Sequence, residues 1–294
     1  MAPSSQGNSP AVDVPEKGRL LTWLHHGHAN GWGTDPGVWD AELTRKTIER
    51  VGVLFGPRRY FRLDFRGIEN APAAPAMFVS NHSGGTTIPD AWGFAMGWYR
   101  HFGYERPIHP LAHEIILGTE TTGRYFAQRG LLRASMQSAR IALGEFERDV
   151  LVMPGGERDT WRPWRKRYQV EFAGRTGYAR LALELGVPVV PVANGGAHST
   201  LFVLSDGRWI ARAMGLHRLA RADIFPIHVS IPWGLTIGPW PHVPLPVTLR
   251  YRIGTPIVPT PPRGSTPTDD EVRALDAQVR AAVQGLLDRL ARGD

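Results

Sequence analysis

The sequence predicts an α/β protein with a mixed, partly parallel sheet flanked by helices. Two helix-like stretches, 131–146 and 177–185, each run into a short apolar segment, 150–153 and 187–192, the helix-then-strand alternation of parallel sheets. Segment 60–66 alternates Phe61, Leu63 and Phe65 with Arg62, Asp64 and Arg66, the period of two of a half-buried strand. A hydrophobic content of 42% over 294 residues is enough for a substantial core, so an ordered chain is expected.

In chain order, residues 1–18 are rich in Ser, Pro and Gly and lack an apolar run long enough for a signal-peptide core. They read as a disordered tail on a cytoplasmic protein. Residues 19–60 read as a helical lead-in, because Val38, Leu43, Ile48, Val51 and Leu54 recur on one helix face through 37–54. The main domain is expected over 61–262, with a strand at 76–80 after the Pro-Ala loop. Residues 263–294 hold a C-terminal helix: Thr268 and Glu271 are spaced as a capping box, and Val272, Leu275, Val279, Val283, Leu286 and Leu290 follow at helical spacing.

Basic residues outnumber acidic ones 34 to 27, and only Lys17, Lys46 and Lys166 are lysines. Guanidinium forks bind phosphate or carboxylate, so the excess suits phosphorylated substrates, anionic membranes or nucleic acid, and biased genome composition explains it equally well. With no cysteine, disulfides, thiolate metal sites and a cysteine nucleophile are excluded. Stretch 224–249 has no Asp, Glu, Lys or Arg and is long enough to span a bilayer, but its six prolines argue against a spanning helix. With Trp233 and Trp240 it is expected to touch a bilayer or cover an apolar chain, or else to form a buried hairpin.

Three constellations could carry chemistry. In the first, 80–90, His82 stands directly after a predicted strand, Gly84 and Gly85 allow close backbone approach, and Asp90 is the nearest carboxylate. A neutral imidazole there could take a proton from a hydroxyl, with the carboxylate fixing its tautomer. A lone histidine in a turn more often satisfies backbone groups, so the reading depends on its company. In the second, 151–167, a strand runs into Pro154, Gly155 and Gly156, then Glu157 and the cations Arg158, Arg162, Arg165, Lys166 and Arg167, a pattern suited to an anion. The third, 186–192, is an apolar strand edged by Pro188 and Pro191 that leads to Asn194 and His198.

In this order the constellations resemble the glycerolipid acyltransferase superfamily, over roughly residues 63–259. Asn81 and His82 match its first motif, with seven residues between His82 and Asp90 where the family has four. Pro154, Gly156 and Arg158 match its third motif, with Gly155 where the family has glutamate. The resulting Pro-Gly-Gly-x-Arg-acid pattern is similar to the diacylglycerol and monoacylglycerol acyltransferase branch. Arg129 loosely matches the second motif, and Val187, Pro188 and Pro191 match the fourth, which helps line the acyl site.

The resemblance implies a glycerolipid acyltransferase-like fold with helical additions at both ends, and 61–262 as the acyltransferase domain. It implies His82 as general base with Asp90, and Gly155, Gly156, Glu157, Arg158, Arg129, Arg162 and Lys166 around the acceptor's phosphate. The donor would be acyl-coenzyme A or acyl carrier protein, and the acceptor a glycerolipid or lysophospholipid at a membrane surface on the inner face of the cell membrane. No cofactor is implied. Backbone amides of either glycine turn could stabilise the oxyanion.

Three other classes compete. A lipid esterase could use the same histidine and carboxylate, although no Gly-x-Ser-x-Gly elbow occurs. A non-catalytic binder of nucleic acid or anionic membrane could use the Arg158–Arg167 cluster with Trp161 and Trp164, acyl transfer being the favoured reading. His25, His26 and His28 prompt a metal site but lack helical pairing and a carboxylate partner.

Overall fold

The computed structural model describes residues 31–216, 223–260 and 266–294. The tail 1–18, the start of the lead-in and the three histidines His25, His26 and His28 lie outside the described residues.

The lead-in resolves into a short turn at Pro36–Val38 and a helix at Ala41–Gly52. Asp40 starts that helix by accepting the Leu43 N–H at 2.8 Å, and Ile48 anchors its inner face in the core. Seven strands then form one sheet: β1 (Arg62–Arg66), β2 (Met77–Ser80), β3 (Ile108–Ala112), β4 (Leu132–Arg133), β5 (Asp149–Val152), β6 (Val189–Gly195) and β10 (Thr248–Ile253), in the order β1-β10-β6-β2-β5-β3-β4. The run from β6 to β4 is parallel. The pair β1 and β10 is parallel to itself and antiparallel to β6. The expected mixed, mostly parallel α/β sheet flanked by helices is therefore present.

Each face of the sheet is covered. On one, Met77, Val79 and Val189 pack against the helices Gly177–Leu185 and Asp269–Ala291, the second of which buries Val279, Val283 and Leu287. On the other, Phe78, Leu151, Val190 and Tyr251 meet Phe94 and Trp98 of the helix Pro89–Phe102. Burying a side chain of this size contributes about 1.5–3 kcal/mol. The capping box at Thr268 forms as the spacing predicts, with Thr268 and Glu271 each bonding the other's backbone N–H.

Two expectations need correction. Stretch 131–146 is not one helix: it opens as β4, becomes helical at Met136–Arg140 and ends in a π-turn at Ile141–Glu145. Stretch 224–249 does hold a hairpin, but one that is exposed on one face rather than buried. It supplies β8 (Ile227–Ser230) and β9 (Gly234–Ile237), which join β7 (Phe202–Ser205) in a separate antiparallel sheet, and Trp233 and Trp240 are exposed. Among the described residues no helix is long and apolar enough to cross a membrane.

Candidate active site

β2 and β5 are paired with Val79 opposite Val152, so the segments that follow, 80–82 and 153–155, leave the same sheet edge side by side. In open parallel sheets this carboxyl edge is where ligands bind. The edge carries His82.

The His82 Nδ1 lies 2.7 Å from Asp90 Oδ2, and the same oxygen accepts the Ser83 N–H at 2.7 Å. Asp90 is fully buried in the first turn of the helix Pro89–Phe102, and its Oδ1 accepts the Ala91 N–H at 2.8 Å. A helix start favours negative charge through its unpaired N–H groups. A carboxylate can only accept hydrogen bonds, so Nδ1 carries the proton and the lone pair of neutral His82 sits on Nε2. The side chain of His82 is 16% exposed, so it can be reached from outside.

The seven-residue spacing works because of the turn between the two residues. Gly84 and Gly85 adopt φ of 100° and 70°, the 3-10 turn Gly85–Thr87 takes up the additional length, and Ile88 follows at φ 42°. Positive φ is strained for a β-branched residue. That strained corner turns the chain so that Pro89 starts the helix and Asp90 comes back to His82.

Asp159 was not singled out by the sequence, yet it holds the histidine from behind. Its Oδ2 accepts the His82 backbone N–H at 2.6 Å across 77 residues, and its other oxygen pairs with Arg162, both side chains being buried. Its only trace in the sequence is the acid that follows Arg158. Asn81 and Asn194 exchange bonds across β2 and β6: Asn81 Nδ2 donates to the Asn194 carbonyl at 2.9 Å, and Asn194 N donates to Asn81 Oδ1 at 2.8 Å. The Ser83 hydroxyl donates to Asn194 Oδ1 at 2.7 Å. His198 is buried and is held well below the usual histidine range by loss of solvent and then by the positive charge of Arg162, and stays neutral.

Gly155 and Gly156 form the turn after β5. A Cβ at position 155 would run into the Glu171 carbonyl oxygen and the Asp159 side chain, so only glycine fits there. Gly156 has φ 51° with Arg175 against it, and its N–H is spent on the Met153 carbonyl at 3.1 Å. Arg158 lies in an ion pair with Asp223, Nη2 to Oδ2 at 2.6 Å, and Glu157 accepts the Asp223 N–H at 2.7 Å. Burial pushes the Glu157 carboxyl up. Arg162 is buried on Asp159, while Lys166 and Arg165 are exposed in the turn beyond.

Arg129 is not brought to this edge. It precedes β4, on the side where the parallel strands begin, and bonds Thr47 Oγ1 at 2.7 Å and the Tyr125 carbonyl at 2.7 Å. Trp161 and Arg162 are buried, which removes them from any surface that could stack or neutralise a nucleic-acid strand.

A cavity of about 410 Å³ opens at the same carboxyl edge. Leu111, Met136, Ala139, Val152, Met153 and Leu181 give it an apolar wall, and Arg175 and His113 stand at its polar side. Arg175 donates to the Pro154 carbonyl at 3.1 Å. Val187 and Pro188 lie at the opposite end of β6, and Pro191 packs toward Gly254; none of the three lines the cavity.

Residues 62–195 match the model of the family described as Acyltransferase, and this span runs from β1 to the end of β6, so it carries both His82 and the Pro154–Gly156 turn. An uncharacterized protein of Mycobacterium tuberculosis (strain ATCC 25618 / H37Rv) is 28% identical over 252 residues, 84% of this chain and 66% of its own length. One of Mycobacterium leprae (strain TN) is 27% identical over 252 residues, 84% of this chain and 65% of its length. The alignments thus span slightly under two thirds of those relatives. The crystal structure of the 1-acyl-sn-glycerophosphate acyltransferase from Thermotoga maritima is 17% identical, with a TM-score of 0.45 and coverage of 91% of this chain and 96% of that one.

Proposed function

We propose that this protein transfers a fatty acyl group from a thioester, acyl-coenzyme A or an acylated carrier protein, to a hydroxyl of a glycerolipid or lysophospholipid. The observation that carries this reading is the buried Asp90 holding His82 Nδ1 at 2.7 Å at the carboxyl edge of the sheet. His82 Nε2 takes the proton of the acceptor hydroxyl as its oxygen attacks the thioester carbonyl. The carbon–sulfur bond then breaks, and the leaving thiolate takes the proton back from the imidazolium. Asp90 stabilises that imidazolium while it lasts. No covalent enzyme intermediate and no cofactor are needed.

The apolar cavity suits the acyl chain, being of ordinary ligand-pocket size and lined mainly by aliphatic and methionine side chains. A neutral acceptor, a mono- or diacylglycerol, fits better than a phosphorylated one. Arg158 already has a carboxylate partner in Asp223, and position 155 has no room for a side chain. A serine esterase is disfavoured because Ser83, next to His82, gives its proton to Asn194. Since the acceptor is a lipid, the reaction belongs at a membrane surface, with the cytoplasmic inner face as the working location.

The test incubates purified protein with long-chain acyl-coenzyme A and a panel of monoacylglycerols, diacylglycerols and lysophospholipids, following released thiol, which the cysteine-free chain does not obscure. Release that depends on a neutral acceptor is the expected result. Release with water alone would favour the esterase, and release only with a phosphorylated acceptor would overturn the assignment of Arg158 and Gly155.

A further inference from the structure

The sheet β7–β9 is built inside out. In its register Phe202 pairs with Val229 and Val229 with Leu235, while Val203 pairs with His228 and His228 with Thr236. The first set, with Leu204, Ile231 and Ile237, is exposed, Leu235 by 66%. The second set, with Ser230, is buried. Antiparallel sheets with one wet face normally put polar residues outward, and an apolar face of this kind marks an interaction site.

The buried face reaches the catalytic loop. His228 stacks on Trp161 with ring centres 5.1 Å apart, and His242 Nε2 lies 2.8 Å from the Thr86 hydroxyl in the turn between His82 and Asp90. Whatever covers the outer face is therefore one sheet away from the element that shapes the site.

The segments that flank the apolar face along the chain and against Phe202 are aromatic and cationic. Trp233 and Trp240 are about half exposed, and Trp209, on the helix that follows β7, more so. Trp164 packs on Phe202 at 5.1 Å and brings exposed Arg165 and Lys166 to that margin. Tyr60 donates to the Pro244 carbonyl at 2.5 Å and so ties exposed Arg58 and Arg59 to the segment that follows β9. Tryptophan at the apolar–polar boundary with arginine and lysine beyond it is the arrangement that suits a bilayer interface with anionic headgroups. A second copy, with its net charge of +7, would bring like charge to like.

We infer that the outer face of β7–β9 docks on an anionic lipid bilayer, with the tryptophans at headgroup depth. This deepens the acyl-transfer reading, on which its purpose rests: docking delivers the lipid acceptor to the loop that holds His82. The docking itself rests on the surface alone.

The experiment sediments the full chain with phosphatidylcholine vesicles, with and without about a third phosphatidylglycerol. It compares wild type, the double variant Leu235→Asp with Ile237→Asp, and Val258→Asp, an exposed apolar position outside this face. The expected result is binding that needs phosphatidylglycerol, falls with salt, is unchanged in Val258→Asp, and is weakened more than about tenfold in the double variant. Equal melting temperatures show that the variants are folded, since the changed side chains are exposed.

Vesicle binding unchanged in the folded double variant would overturn the inference. So would a wild-type dimer that the double variant converts to monomer without vesicle binding, because a second copy would then cover the face. If docking depends on the face but no acceptor in the panel is acylated, the inference stands and the acyl-transfer reading fails. Thiol release from dissolved short-chain substrates, retained by the double variant, separates docking from chemistry.

Discussion

In the seven-stranded sheet Met77 and Val79 point into one packed layer and Phe78 into the other, whereas in β7–β9 His228, Ser230 and Thr236 turn inward and Phe202, Val229 and Leu235 face out. The two sheets use the same alternation of side chains for opposite ends. The first removes apolar area from water and stabilises the fold. The second forgoes that gain and buries a histidine, His228, whose two ring nitrogens have no hydrogen-bond partner among the described residues. Burying such a group without compensation costs about 1–3 kcal/mol. An arrangement unfavourable to the isolated chain points to selection for what the sheet touches.

The comparison breaks most easily in the large sheet. Val190→Asp places a carboxylate at a fully buried position of β6 and should cost more than about 4 kcal/mol, leaving little folded protein by circular dichroism. Asp159→Ala comes next. It strands buried Arg162 and frees the His82 backbone, so a loss of about 3–5 kcal/mol is expected in urea unfolding.

Acid should act in part through the small sheet, alongside His109 of β3 and His198, which burial also lowers. Burial pushes His228 down to about 4 and lowers His242, against about 6.5 when unfolded. Between these values the unfolded chain binds more protons, so stability falls as pH drops from about 6.5 toward 4 and is regained as pH rises. The melting temperature should fall across that window, and His228→Phe should flatten the decline. A slope identical in the variant would remove His228 from the account. Smallest of all, Leu235→Asp on the outer face should change stability by no more than about 0.5 kcal/mol in the same urea titration.

What could be read from the sequence follows the same division. β2, β5, β6 and the helices Gly177–Leu185 and Asp269–Ala291 are foreseen because their periodicity reflects burial in the large sheet. The helix Pro89–Phe102 is not, since it is buried around most of its circumference. Its Gly93 and Gly97 admit Tyr251 and Phe65 at close range, so it has no clean polar stripe. β7 escaped, and the β8–β9 hairpin was foreseen only as a buried one, because the inverted pattern reads as an apolar run interrupted by prolines. Within the site, the neighbours of His82 follow from strand order, but the reach of Asp159 to its N–H depends on how the turn after β5 packs. The pairing of Arg158 with Asp223 depends on a segment 65 residues away.

The central claim is that His82 is the base for acyl transfer. Its most direct test follows transfer of a labelled acyl chain from acyl-coenzyme A to a monoacylglycerol by wild type and by His82→Ala of matched melting temperature. The account predicts that the variant loses about 10²–10⁴-fold in kcat with KM for the donor little changed. Transfer by the variant at the wild-type rate would contradict it.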